Sequence, residues 1–241
     1  HLSKNVNPIP SKPNLLLLLL DPISRAHFTR TMQKTASVLD ELNFTKFERY
    51  TAVGPNSGPN QAALYSGIPL EKRSELHKDL DGEDKWLWDR LRQAGYITLK
   101  GEDSCIENSN MMQSLVPNTT HGKALEGLFC FDDFSRPNCI GPDLASSLLL
   151  RYGSQFISTY EHRRKNSNTD LHWASFLHFV DPHEDTMILS TSLYEGLSRF
   201  FNEMENMGYF QNTIVILSSD HGLHYGPNFS TRQGRREATE P

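Results

Sequence analysis

The stretch Ile214-Val215-Ile216-Leu217-Ser218-Ser219-Asp220-His221-Gly222 decides the fold. An apolar run rich in β-branched residues stops at an Asp-His-Gly triplet. That pattern reads as a buried strand whose carboxyl end delivers a carboxylate and an imidazole side by side. Open α/β sheets bind their ligands at that end. Working outward, Asn14 followed by six leucines, Leu15 to Leu20, forms a second such strand and stops on Asp21. Between the two lies Asn56-Ser57-Gly58-Pro59-Asn60, which reads as the start of a helix. The expectation is that two strand ends and one helix start meet at a single metal site.

Composition allows this and narrows the alternatives. The chain has 241 residues, one large or two small domains at roughly 100–200 residues each. With 24 Lys+Arg against 29 Asp+Glu the net charge is −5. The basic residues are scattered, so no nucleic-acid partner is expected. The leucine run is too short for a bilayer, which needs about 20 apolar residues, and no segment qualifies as transmembrane. The three cysteines, Cys105, Cys130 and Cys139, form no CxxC pair. Cys130 and Cys139 could bridge across the loop between them, leaving Cys105 free or paired elsewhere. Sequons at Asn43, Asn118 and Asn228 point to a secretory or extracellular route, a cytosolic protein with idle sequons being the alternative. The chain begins with His1, so a leader or membrane anchor ahead of it is compatible with the sequence.

Taken in order, the chain alternates strands and helices. Residues 1–13 carry three prolines and read as an irregular lead-in. Strand Asn14–Leu20 is followed by the turn Asp21–Arg25, a helix over about Arg30–Leu42 and a strand over Phe47–Val53. Pro59 suits the first turn of the next helix, which Gly67 ends. A helix over Asp84–Ala94 and a strand over Tyr96–Lys100 follow. Residues 102–142, polar and Asn/Ser-rich, read as a surface insert. Then come a helix over Asp143–Arg164 capped by Asp143, a strand over Leu171–Val180, a helix over Thr191–Gly208 and the strand Asn212–Ser219. Residues 228–241 form a charged tail. The rhythm predicts a three-layer α/β/α fold with a mostly parallel central sheet.

The chemistry-bearing residues cluster at the predicted strand ends. Asp220 and His221 suit Zn²⁺ or Mn²⁺, with Gly222 letting the backbone turn away; Asp-His-Gly alone also fits an ordinary loop. Asp21 is costly to bury unless paired or metal-bound, although Asp before Pro is also ordinary turn chemistry. Ser57 lies at a helix N-terminus, where backbone N–H groups favour an anion. Its hydroxyl is a candidate nucleophile if a metal activates it; a plain N-cap is the simpler reading. Asn60 could donate to the same anion. Asp181 and His183 could serve a second metal, or His183 could protonate a leaving group. His224 is a candidate substrate contact, Arg25 could pair with a carboxylate or a substrate anion, and His178 reads better as a core histidine.

Together these residues resemble the alkaline phosphatase superfamily, and most nearly a sulfatase-like family of unknown function within it. The resemblance rests on Asp21-Pro22-Ile23-Ser24-Arg25, matching Asp-x-x-Ser-Arg, then Phe28 and Met32-Gln33-Lys34-Thr35. Ser57-Gly58-Pro59-Asn60 is similar to the Thr-Phe-Pro-Asn nucleophile segment of the pyrophosphatase branch, and Ser219-Asp220-His221-Gly222 matches the late metal motif. It implies one alkaline-phosphatase-like catalytic domain over residues 1–241. Asp21, Ser57, Asp220 and His221 would hold a metal, and Ser57 would form a covalent phospho- or sulfo-enzyme. Asp181 and His183 would belong to a second metal or the leaving group, with Asn60 and His224 at the substrate.

Two departures matter. The spacing Asp181-x-His183 is shorter than the Asp-x-x-x-His of two-metal members, and the further His that normally comes well after Asp-His-Gly is not supplied before Pro241. Either one metal suffices or the copy is truncated at its C-terminus. Asn60 after Ser57-Gly58-Pro59 breaks the sulfatase nucleophile signature, so formylglycine chemistry is not expected. The implied activity is metal-dependent hydrolysis or transfer of phosphate or sulfate esters. The cofactor is a divalent metal, Zn²⁺ first, with Mn²⁺, Mg²⁺ or Ca²⁺ as alternatives, as one or two ions. The competing reading is an inactive or truncated relative that binds glycans or protein.

Overall fold

The computed structural model describes residues 12–68, 86–103, 120–121, 139–167, 170–183, 186, 188 and 190–241. Four parallel strands form the central sheet: β1 (Asn14–Leu20), β2 (Tyr96–Glu102), β5 (His172–Phe179) and β6 (Thr213–Ser218), in the order β2-β5-β1-β6. Two short antiparallel segments, β3 (Cys139–Ile140) and β4 (Asp143–Leu144), pair apart from it. The helices are α1 (Arg25–Thr31), α2 (Gln33–Glu41), α3 (Ser57–Ser66), α4 (Leu87–Gln93), α5 (Ala145–Ser167), α6 (Ser190–Asn206), α7 (Gly226–Phe229) and α8 (Arg232–Glu237).

The leucine run shows why the fold has three layers. Successive strand side chains point to opposite faces. Leu16, Leu18 and Leu20 enter one core, with Val38 and Leu39 of α2, Leu149 and Ile157 of α5, and Leu197 and Phe201 of α6. Leu17 and Leu19 enter the other, with Ala62 and Tyr65 of α3, Trp86 and Trp88 at α4, and Phe176 of β5. Burying each leucine contributes about 1.5–3 kcal/mol, so the run fixes β1 as a central strand. Phe176 of β5 alternates in the same way with Leu177.

Several local expectations are corrected. No strand forms over Phe47–Val53: Phe47 and Val53 are exposed, and the segment is a loop. The helix expected over Arg30–Leu42 begins earlier and is two helices. Met32 breaks it, with φ −112° and ψ 39° and its side chain in the core. Asp143 does not cap α5. It pairs with Ile140, and its carboxylate accepts from Arg151 at 3.0 Å. Residues 228–241, charged and without an apolar run, fold into the end of α7, α8 and the stretch after it, and pack over α1. Cys139 is exposed; Cys130, its suggested partner, and Cys105 lie outside the described residues, as do the Asn118 sequon and most of the 102–142 insert. Asn43 and Asn228 are exposed. Among the described residues no helix is long and apolar enough to cross a membrane.

Candidate metal centre

Because all four strands run parallel, their carboxyl ends share one edge. There β1 delivers Asp21, β5 delivers His178, Asp181 and His183, β6 delivers Asp220 and His221, and β2 delivers Glu102. Asp21 continues the odd-numbered series Leu17, Leu19, which faces α3. Their register partners on β5 are the even-numbered series, which carries Ala174 and Phe176 to that face and His178 after them. Helix α3 begins at Ser57, with extended Asn56 ahead of it and Gly67 closing it at φ 76°.

Four of the expected residues meet. Ligand-type atoms of Asp21, Asp220 and His221, all three buried, lie within 4.8 Å of one another. Ser57 Oγ donates to Asp21 Oδ2 at 3.1 Å and lies 3.0 Å from His221 Nε2. His221 Nδ1 is 2.8 Å from the Gly222 carbonyl. A carbonyl only accepts, so Nδ1 carries the hydrogen, and in the neutral ring Nε2 presents a lone pair. That lone pair faces Asp21 Oδ1 at 3.6 Å and Asp220 Oδ2 at 3.8 Å. Asp21 Oδ1 is buried and accepts no hydrogen bond. Lone pairs converging in a buried space are stabilised by a cation, and carboxylate, imidazole and hydroxyl donors suit a divalent metal. On these grounds the residues fit one.

The electrostatics show how two carboxylates share this space. Burial opposes ionisation of Asp21, but His178, then His221 and His183, outweigh it and hold its pKa down at about 2. Asp220 goes the other way: burial, then the neighbouring Asp21, pushes its pKa up. Its carboxylate accepts from the His221 N–H at 3.0 Å and from Gln61 Nε2 at 2.9 Å. His178 lies 3.4 Å from Asp21 Oδ2 and 3.1 Å from Glu102 Oε2. Burial disfavours its cation, but Glu102 and Asp21 overcome that and raise its pKa to about 10. Lys100 Nζ sits 3.6 Å from Glu102 in turn.

The remaining candidates divide. His183 Nε2 lies 4.0 Å from Asp21 Oδ1, and Tyr225 Oη holds its Nδ1 at 2.8 Å. His224 stacks edge-on to His221, ring centroids 4.7 Å apart, and its Nδ1 is buried without a hydrogen bond. Burial, followed by the charges of His221 and His183, lowers the His224 pKa. Asp181 is buried next to this group in sequence. Asn60 has a different task from the expected one. Its amide oxygen accepts from the Val53 and Gly54 N–H groups at 2.8 and 2.9 Å. Its NH₂ donates to the Gly54 and Asn56 carbonyls at 2.9 and 2.8 Å. With those four bonds it shapes the loop before Ser57 and has no polar atom to spare for a substrate. Arg25 is occupied by Glu240 at 3.6 Å and by the Glu48 carbonyl.

Three residues at the site escape the sequence reading: Gln61, His178 in its ion-paired role, and Glu102. Gln61 has a usable signal. It lies four residues after Ser57 on α3, and i, i+4 positions share a helix face. His178 and Glu102 meet through strand register, Glu102 pairing with His178 and His178 with Leu19, which no local pattern reveals.

A family model described as "Protein of unknown function (DUF229)" matches residues 3–116 and 124–241. Among solved structures, the chain is similar to the lipoteichoic acid synthase LtaP from Listeria monocytogenes. The TM-score is 0.63 at 13% identity, over 95% of this chain and 60% of that one. It is also similar to a protein in the alkaline phosphatase superfamily from Vibrio parahaemolyticus, with TM-score 0.60 at 18% identity, over 89% and 55%. A third is the C-terminal periplasmic domain of EcEptC from Escherichia coli in complex with Zn, with TM-score 0.54 at 13% identity, over 88% and 64%. The chain thus spans less than two thirds of each of these structures. No curated protein matches. These likenesses establish an alkaline-phosphatase-like α/β fold.

Proposed function

The chain belongs to the DUF229 family, and from that premise and the strand-end geometry we propose that it is a metal-dependent hydrolase or transferase of phosphate or sulfate esters, with Ser57 as nucleophile. The observation that carries this is Ser57 Oγ, held between Asp21 Oδ2 at 3.1 Å and His221 Nε2 at 3.0 Å, at the first residue of α3. Solved structures with this fold include a putative sulfatase from Bacteroides fragilis, a phosphonate monoester hydrolase from Silicibacter pomeroyi and a lipooligosaccharide phosphoethanolamine transferase from Neisseria meningitidis. All act, by their names, on oxygen esters of phosphorus or sulfur or on phosphonate esters.

Asp21, Ser57, Asp220 and His221 would hold the ion, Zn²⁺ by preference. When bound, a divalent ion lowers the pKa of a nearby hydroxyl and offsets the charge of the ester. Asp21 accepts the hydrogen bond of the Ser57 hydroxyl and orients it; the hydroxyl proton would be lost to solvent, the ion lowering its pKa. The Ser57 oxygen forms a bond to phosphorus or sulfur as the bond to the leaving oxygen breaks. The first-turn N–H groups of α3 bind the non-bridging oxygens. His183, oriented by Tyr225, is placed to return a proton to the leaving oxygen, with Asp181 and His224 lining the same side. Water or an acceptor hydroxyl then attacks phosphorus or sulfur, giving its proton back to His183, as the bond to the Ser57 oxygen breaks and frees Ser57. His178, Glu102 and Gln61 hold the carboxylates in position without touching substrate. We assign this chemistry to one catalytic unit spanning the described residues. We place it in the secretory route, which the exposed Asn43 and Asn228 sequons support.

The test is covalent trapping. Aryl phosphate, phosphodiester and aryl sulfate esters are incubated with the chain and Zn²⁺, Mn²⁺ or Mg²⁺, quenched in acid and digested. A phospho- or sulfo-group on the Ser57 peptide, lost in Ser57→Ala together with turnover, is the expected result. Turnover that survives Ser57→Ala overturns the proposal.

A further inference from the structure

Glu237 is a buried carboxylate that the chemistry above does not use. Arg30 Nη1 and Nη2 reach its two oxygens at 2.9 and 2.7 Å. Ser24 Oγ donates to it at 3.2 Å and Gln233 Nε2 at 2.9 Å. A planar guanidinium paired with both oxygens of a carboxylate fixes position as well as charge. The pair therefore pins the end of α8 to α1, the helix that follows Asp21.

What comes next in the chain gives this a purpose. Three successive carbonyls, Ala238, Thr239 and Glu240, accept hydrogen bonds from three separate segments. They take the Gly222 N–H at 3.0 Å, the Ala52 N–H at 3.1 Å and the Arg25 N–H at 3.0 Å. Gly222 follows Asp220 and His221, Ala52 leads into the loop before Ser57, and Arg25 closes the turn that starts at Asp21. Two of the segments are tied directly as well: the Ile23 N–H donates to Ser219 Oγ at 3.0 Å, and Ser219 Oγ donates to the His221 carbonyl at 2.8 Å. Gly222 is pressed against the clasp. A Cβ there would sit 2.2 Å from the Glu237 carbonyl oxygen and 3.0 Å from Ser24 Cβ. No side chain other than hydrogen fits.

We infer that Glu237 is a positioning residue: paired with Arg30, it seats residues 238–240 so that their carbonyls clasp the three segments carrying Asp21, Ser57 and Asp220–His221. The clasp fixes the spacing of the metal ligands from outside the site. This rests on the proposed function only for what the three segments carry; the clasp itself stands on its hydrogen bonds.

The test uses the whole chain with Glu237→Ala, the shape-conserving Glu237→Gln, and Gly222→Ala. Amide hydrogen exchange is followed for Gly222, Ala52 and Arg25 against the amides of β1 and β5. Zn²⁺ affinity is measured by chelator competition well below the melting temperature. Expected are faster exchange at the three clasped amides with the strand amides still protected, and Zn²⁺ affinity lower by about tenfold or more. The effect is smaller in Glu237→Gln, which keeps the shape. If Glu237→Ala does not fold, Glu237→Gln decides. Unchanged exchange at the three amides overturns the clasp, and loosened amides with unchanged Zn²⁺ affinity overturn its positioning role. A wild-type chain that binds no Zn²⁺ overturns the proposed function, while the exchange measurement still decides the clasp.

Discussion

Replacing Gln61 by leucine probes the least conspicuous member of the site. The change roughly keeps volume and helix preference but removes the donor to Asp220 Oδ2 at 2.9 Å. Asp220 is fully buried, and its other hydrogen bond in the structure is the His221 N–H on Oδ1 at 3.0 Å. A hydrogen bond to a buried charge contributes about 1.5–3 kcal/mol. Burial and Asp21 already push the Asp220 pKa up, and Gln61 works against them. Without Gln61 the acid form gains, and a ligand must lose its proton to bind metal. The expected loss of Zn²⁺ affinity is about 10- to 100-fold, the equivalent of that energy. It is larger at the lower of two pH values than at the higher, because acid favours the protonated carboxyl and base restores the carboxylate. Chelator competition at the two pH values measures it, with thermal unfolding of the metal-free chain as control. Equal affinity of the two proteins at both pH values refutes this role for Gln61, as does a loss independent of pH.

Acid should expose the Arg30–Glu237 pair. The hydrogen bond from Arg30 is the main cause holding the Glu237 pKa at about 2, below its usual 4.5. A depressed carboxyl pKa stabilises the fold above the usual value, and the gain is lost as pH falls from about 4.5 towards 2. Allowing for solvent screening of the exposed Arg30, about 1–2 kcal/mol is expected. The gap between the urea midpoints of wild type and Glu237→Gln should therefore be widest near neutrality, narrow as pH falls below about 4.5 and close near pH 2; a constant gap contradicts this. Leu18→Ala, at a wholly buried central-strand position, should cost about 2–5 kcal/mol in chemical denaturation, whereas Phe47→Ala in the exposed loop should cost under about 0.5 kcal/mol. Stripping metal with a chelator should lower the melting temperature of the wild type and not that of Asp220→Asn, read by calorimetry, since binding to the folded state adds stability.

The sheet is legible in the sequence because Leu15–Leu20 of β1 is buried on both faces and admits few other readings. Ile214–Leu217 carries the same apolar pattern and does form a strand, but it is the outermost of the described sheet, with Ile214 and Ile216 exposed rather than buried as expected. Once two parallel strands end on Asp21 and Asp220, a shared edge follows, and Pro59 and Gly67 bracket the helix that brings Ser57 there. The errors have non-local causes. Phe47–Val53 carries strand-like residues but has no strand to pair with. Asp143 looks like an N-cap until Ile140, across a Gly-Pro turn, claims it as a partner. His178 is a core histidine as expected, yet register also sets it between Asp21 and Glu102. Asn60 bonds back into its own loop rather than facing a substrate; a side chain near a helix start can do either, and sequence does not distinguish the two. Arg30 and Glu237 lie 207 residues apart, and two ordinary surface-type residues give no local sign of meeting.

The most direct test of the central claim is zinc-edge anomalous diffraction from crystals grown with Zn²⁺. One strong peak bounded by Asp21, Ser57, Asp220 and His221, absent in Asp220→Asn, is the predicted result. Peaks confined to other parts of the surface, with those four side chains sharing none, would contradict it.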